Sequence, residues 1–114
     1  MNLTTLSFLA LILLYALANI CDRVFNIHSN KFYKMFHFAG GFFVYIFINS
    51  LISNKLLSLF GVIIVGVAWE IYEWLFWKYV SKRKIDKPQK KDTTNDLFMD
   101  FWGGTSALIL TSLL

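Results

Sequence analysis

The chain has 114 residues, of which 57% are apolar, 18% aromatic and only 16% charged. A soluble domain this small exposes too much of its surface to hide so much apolar area, so the composition excludes an ordinary small soluble fold and points to lipid as the solvent. The net charge of +4 does not describe a nucleic-acid surface, because seven of the eleven Lys and Arg fall between Lys78 and Lys91, the pattern of a topology-setting loop.

In chain order, the first apolar segment is expected to be a helix over about residues 3–21, "LTTLSFLALILLYALANIC". "ALA" at 16–18 and "LANIC" at 17–21 resemble cleavage sites, but no Lys or Arg precedes the apolar run. The usual n-region of a signal peptide is missing, so the helix is expected to be retained, with a three-span product as the alternative. Cys21 is the single cysteine and has no internal disulfide partner; a small buried or lipid-facing side chain is the expected role. His28 falls in the connection that follows and is expected to be solvated.

The second helix is expected over about 32–52 and the third over about 56–79, joined by the short turn "SNK" at 53–55. A basic loop over 80–92 holds the only proline, Pro88, and leads to a fourth helix over about 93–113. Each segment approaches the roughly 20 residues that a helix needs to cross the hydrocarbon core, and helices are required because single strands would leave backbone groups unpaired in lipid. The fold class is therefore all-α, a single polytopic domain over 1–114 built as a four-transmembrane-helix bundle. Arg23, Lys31 and Lys34 lie near the first connection and Lys78, Lys82, Arg83, Lys84, Lys87, Lys90 and Lys91 near the third, whereas the opposite side carries only Lys55. This asymmetry places the basic connections inside and both termini away from the cytoplasm, in an inner-membrane setting. Anionic lipid headgroups are a secondary partner for the basic loop.

Most positions in these helices are Leu, Ile, Val and Phe. The informative ones are His37, Glu70, Glu73, Asp96 and Asp100, because an ionisable group at membrane depth costs about 3 kcal/mol or more and marks function by default. Glu73 and Glu70 precede Lys78 by five and eight residues, which a rise of about 1.5 Å per residue converts to depths of about 7 and 12 Å. His37 follows Lys34 by three residues, about 5 Å, and Asp96 and Asp100 follow Asp92 by four and eight, about 6 and 12 Å. All five belong to the cytoplasmic half of the membrane. Gly66, Glu70, Glu73 and Trp77 share one helical stripe; His37 and Gly41 share another; Asp96, Asp100, Gly103 and Ser106 form a third. A small residue on each stripe lets neighbouring backbones approach.

Blander roles compete with these. Asp92 and Thr93 in "DTTND" suit a helix cap, and Asp96 in the first turn meets the helix dipole favourably. Asp100 lies past that turn. His37 alone could be a core histidine bonded to a carbonyl, and Glu73 could pair with a snorkelling cation. The tryptophans read as interface and packing residues. Four carboxylates close together in low dielectric cannot all stay charged and unpaired. Three outcomes are open: some are protonated, Arg23 or Lys34 reaches in, or a divalent cation is bound by carboxylate oxygens and an imidazole.

"HFAGG" at 37–41, "WEIYEW" at 69–74 and "DTTNDLFMDFWGG" at 92–104, in that order on successive helices, resemble the VanZ-like group of small bacterial membrane proteins and more closely the YjdF-like family. The matching positions are His37, Phe38, Gly41, Glu70, Glu73, Trp74, Asp92, Thr93, Asp96, Asp100 and Gly104. Tyr33-Lys34 stands where VanZ-like proteins often carry Asp-Lys, and YjdF-like proteins tend to have further spans, so a membrane partner or oligomer would close the bundle. The resemblance implies a bacterial-type envelope setting, and on the VanZ side an association with low-level resistance to lipoglycopeptide antibiotics. Four functions are carried forward: a non-enzymatic envelope protein with a cation-binding or structural cluster, a metal-dependent enzyme acting on a lipid or its phosphate headgroup, a proton or ion pathway, and a phage-type lysis factor. The enzyme is disfavoured by the lack of an arginine at the cluster's depth and of a nucleophile elbow or Gly-rich phosphate cradle.

Overall fold

The computed structural model describes residues 2–23, 30–81 and 90–113, and every element among them is helical. α1 spans Leu3–Arg23, α2 Asn30–Ile52, α3 Lys55–Phe76 and α4 Lys90–Leu113. α3 continues into a π-helical turn, Trp77–Ser81. The Asn2 side chain opens α1 by accepting the Thr5 N–H at 2.8 Å, and Asn54 opens α3 by accepting the Leu57 N–H at 3.1 Å. Between α2 and α3, Ser53 takes the left-handed conformation (φ 52°) and its N–H returns to the Asn49 carbonyl at 2.9 Å. This is the usual way to end a helix, achieved without the customary glycine.

α1, α2 and the long helix from Lys55 are long and apolar enough to cross a membrane. α4 is as long but less apolar, because Lys90, Lys91, Asp92 and Asn95 fall in it as well as Asp96 and Asp100, and it is the partner against which α2 makes its most extensive contact. α2 occupies the centre and also packs on α1 and α3. The distribution of side chains is that of a lipid-solvated bundle. Among the described residues only Tyr45, Val62 and Ala107 form the buried hydrophobic core, while Leu6, Leu13, Leu56, Phe60, Ile64, Trp102 and Leu113 are turned outward. In hydrocarbon, burial of apolar side chains supplies no drive to associate, so close backbone packing and polar contacts hold the helices together.

Two sets of polar contacts lie at the end remote from the basic connections. Thr4 and Ser50 share a hydrogen bond of 2.6 Å between α1 and α2, and the Ser58 hydroxyl donates to Asn49 Oδ1 at 3.2 Å between α2 and α3. Towards the other end, the Tyr15 ring meets Trp69 edge-on at 5.7 Å and its hydroxyl lies 3.3 Å from that of Tyr72, tying α1 to α3. Beyond them the Lys78 ammonium sits 4.7 Å over the Trp74 ring, an arrangement suited to a membrane–water boundary.

Candidate functional site

The polar stripes meet where α2, α3 and α4 converge. On α3 the buried residues are Ser58, Val62, Gly66 and Glu70, a strict four-residue repeat that carries Glu70 into the bundle. On α2 the same spacing links His37, Gly41 and Tyr45. α2 and α4 come together through a reciprocal glycine contact. A methyl group on Gly41 would strike the backbone carbonyl of Asp100, and one on Gly103 would strike that of Phe38. Only glycine permits this approach, and it sets His37 and Asp100, one turn away on their respective helices, side by side.

His37 is the centre of the cluster. Its Nδ1 lies 3.1 Å from Asp100 Oδ1. Its Nε2 lies 3.3 Å from Asp96 Oδ2 and 3.9 Å from Glu70 Oε1. Glu70 and Asp100 are each only 7% exposed. Glu70 Oε1 is buried with no hydrogen-bond partner among the described residues. One ligand atom from each of His37, Glu70 and Asp96 falls within 4.8 Å of the other two. Gly66 leaves the space for the Asp100 carboxylate, since a Cβ there would stand 2.6 Å from Asp100 Oδ2; Gly104 packs on Val62 and Leu59.

The structure thus brings His37, Glu70, Asp96 and Asp100 into one constellation from three helices. Glu73 borders it but is otherwise engaged, its Oε1 accepting the indole N–H of Trp69 at 2.7 Å one turn earlier on α3. Lys34 makes no ion pair among the described residues. The side chains of Arg23, Asp92 and Thr93, and His28 altogether, lie outside the described residues. Two polar groups escaped the reading of the sequence. Trp69 is a hydrogen-bond donor to a carboxylate, a role that its i, i+4 spacing to Glu73 could have signalled. Tyr45, fully buried at the bundle centre, carries a hydroxyl into the core on the same stripe as His37.

Three carboxylates surround one imidazole. Even with the ring protonated and every carboxylate ionised, the constellation would hold a net charge of minus two at membrane depth, an arrangement that demands protons or a cation. The donor set of one imidazole and two carboxylates converging on Nε2 fits a divalent ion.

Neither a curated protein nor a solved structure matches the chain. A family profile does, over residues 2–114, the one described as predicted membrane protein (DUF2238). With three helices apolar enough to span a bilayer and a match across nearly the whole sequence, this is a multi-pass integral membrane protein belonging to the DUF2238 family.

Proposed function

We propose that this protein resides in the inner membrane of a bacterial-type envelope, with both termini outside the cytoplasm, and binds a divalent cation through His37, Glu70 and Asp96. The observation that carries the cation is Glu70: a carboxylate 93% buried, with Oε1 in no hydrogen bond among the described residues and aimed at the His37 Nε2 that Asp96 also approaches. A buried carboxylate oxygen without a hydrogen bond is costly, and a bound ion would satisfy it together with the facing donors. The excess of Lys and Arg around the connections next to the cluster supports the orientation, and contact of the basic loop with anionic headgroups follows from the same charges. The resemblance of the segments at 37–41, 69–74 and 92–104 to YjdF-like and VanZ-like proteins supports the envelope setting.

Metal analysis of the detergent-purified protein, followed by titration with zinc, manganese and magnesium, tests the reading. A stoichiometric ion, or saturable binding lost in Glu70→Gln, is the expected result; no ion and no binding would remove it. A second reading has its own observation, since both nitrogens of His37 lie within 3.3 Å of a carboxylate oxygen. A protonated imidazole donating to Asp96 and Asp100 would tie α2 to α4 as a structural bridge. Under that reading His37→Gln lowers the unfolding temperature and no metal is bound.

A further inference from the structure

The two sides of the His37 ring are not equivalent. Nε2 faces Asp96 and the Glu70 Oε1 that makes no hydrogen bond among the described residues, whereas Nδ1 faces Asp100 alone. Asp100 is held there from two sides: its backbone is pressed against Gly41, and its other carboxylate oxygen fills the space left by Gly66. A carboxylate on one imidazole nitrogen with metal-ligand geometry on the other is the arrangement by which proteins fix a histidine tautomer and raise its basicity towards a metal. We infer that Asp100 is a positioning residue rather than a ligand, that it accepts the Nδ1–H of a neutral His37 and so presents the Nε2 lone pair, and that the ion is a zinc-like first-row divalent cation. This rests on the cation reading above.

The distances favour that class of ion. Bonds of about 2.1 Å to a tetrahedral ion put neighbouring donors about 3.4 Å apart. Nε2 and Asp96 Oδ2 are 3.3 Å apart, while Glu70 Oε1, at 3.9 Å from Nε2 in a donor set that spans up to 4.8 Å, moves inward to complete the site. Calcium takes six to eight oxygens and magnesium keeps an octahedral oxygen shell, neither of which three donors including an imidazole provide. An imidazole with carboxylates suits zinc above manganese in the usual affinity order. Three protein donors also leave a coordination position for water or an anion, as in open rather than closed zinc sites.

The chain has two histidines, so His28→Gln leaves His37 as the only imidazole. Nitrogen-15 NMR of histidine-labelled protein in that background, titrated with zinc, reads the tautomer directly. The expected result is a metal-shifted Nε2 and an Nδ1 that keeps its proton, with zinc bound at least about tenfold more tightly than manganese and magnesium weaker still. Asp100→Asn weakens zinc binding by about 10- to 100-fold, whereas Asp96→Asn and Glu70→Gln, which remove donors, weaken it more. Metal on Nδ1, an Asp100→Asn loss as large as that of Asp96→Asn, or tighter binding of magnesium than zinc would overturn the inference while leaving the cation reading intact. No binding of any of the three ions to the unmodified protein would overturn both. Should Asp100→Asn fail to fold, the tautomer seen in the His28→Gln protein still decides.

Discussion

Gly66 on α3 and the Asp100 carboxylate on α4 occupy one space: a methyl group on the glycine would stand 2.6 Å from Asp100 Oδ2. Gly66→Ala must therefore push the carboxylate away from His37 or push α3 away from α4. Helix propensity alone would make the change stabilising by up to about 1 kcal/mol. The expected outcome is the reverse, a lower unfolding temperature together with weaker metal binding. Gly40→Ala is the control, because nothing lies within 4 Å of the added methyl group. Thermal unfolding followed by tryptophan fluorescence in detergent distinguishes the two variants.

The reciprocal contact of Gly41 and Gly103 makes a sharper prediction. Here the obstacle is backbone on both sides, and backbone cannot rotate away as a side chain can. Gly41→Ala and Gly103→Ala are each expected to cost more stability than Gly66→Ala. Either one alone separates α2 from α4, so the double variant should cost clearly less than the two single losses added together. Additive losses would show that the two glycines do not act on one interface.

Glu73 and Glu70 are three residues apart, yet their expected contributions differ. Glu73 Oε1 is taken by the Trp69 indole at 2.7 Å, whereas Glu70 Oε1 has no hydrogen-bond partner among the described residues. Glu73→Gln, which can still accept that hydrogen bond, should leave metal affinity within about threefold, a loss of less than about 0.7 kcal/mol. Glu70→Gln should reduce affinity by well over tenfold in the same titration. Equal losses would mean that Glu73 also serves as a donor to the ion.

The orientation can be checked without purification. A reporter active only outside the cytoplasm should work when fused at the C-terminus and fail when inserted into the basic segment 82–89. Replacing Lys82, Arg83 and Lys84 with Gln weakens the charge asymmetry and should yield a mixed signal from both positions.

The helical architecture was legible in the sequence because lipid imposes a coarse rule, long apolar segments separated by charge, that a reader can count. The polar stripes were legible for a related reason. Spacing of three and four residues along one helix fixes which side chains share a face, and the structure buries Gly66 and Glu70 on a line with Ser58 and Val62. What spacing along one helix does not encode is the rotation and depth of that helix against its neighbour. Asp96, in the first turn, and Asp100, past it, lie on the same stripe, yet nothing in their spacing shows that they approach opposite nitrogens of the His37 ring, a difference set by the α2–α4 glycine contact. Trp69 was overlooked because a tryptophan near a membrane boundary has many ordinary roles, although its four-residue spacing from Glu73 is compatible with the hydrogen bond it donates. Part of the lower apolarity of α4 has the same origin as the cluster, since Asp96 and Asp100 both dilute the helix and supply the site.

The left-handed turn at Ser53 lies at the far end of the bundle from His37 and joins α2 to α3 with almost no slack. From Lys55 to Glu70 is fifteen residues, a rod of about 22 Å. A tilt of about 10° at that pivot would swing the Glu70 carboxylate by about 4 Å, as far as its present separation from the imidazole, while scarcely moving Ser58. The hairpin is in this sense a pair of tweezers hinged at Ser53, and the gap it controls most strongly is the one between its jaws at the opposite end of the bundle, where His37 and Glu70 face each other.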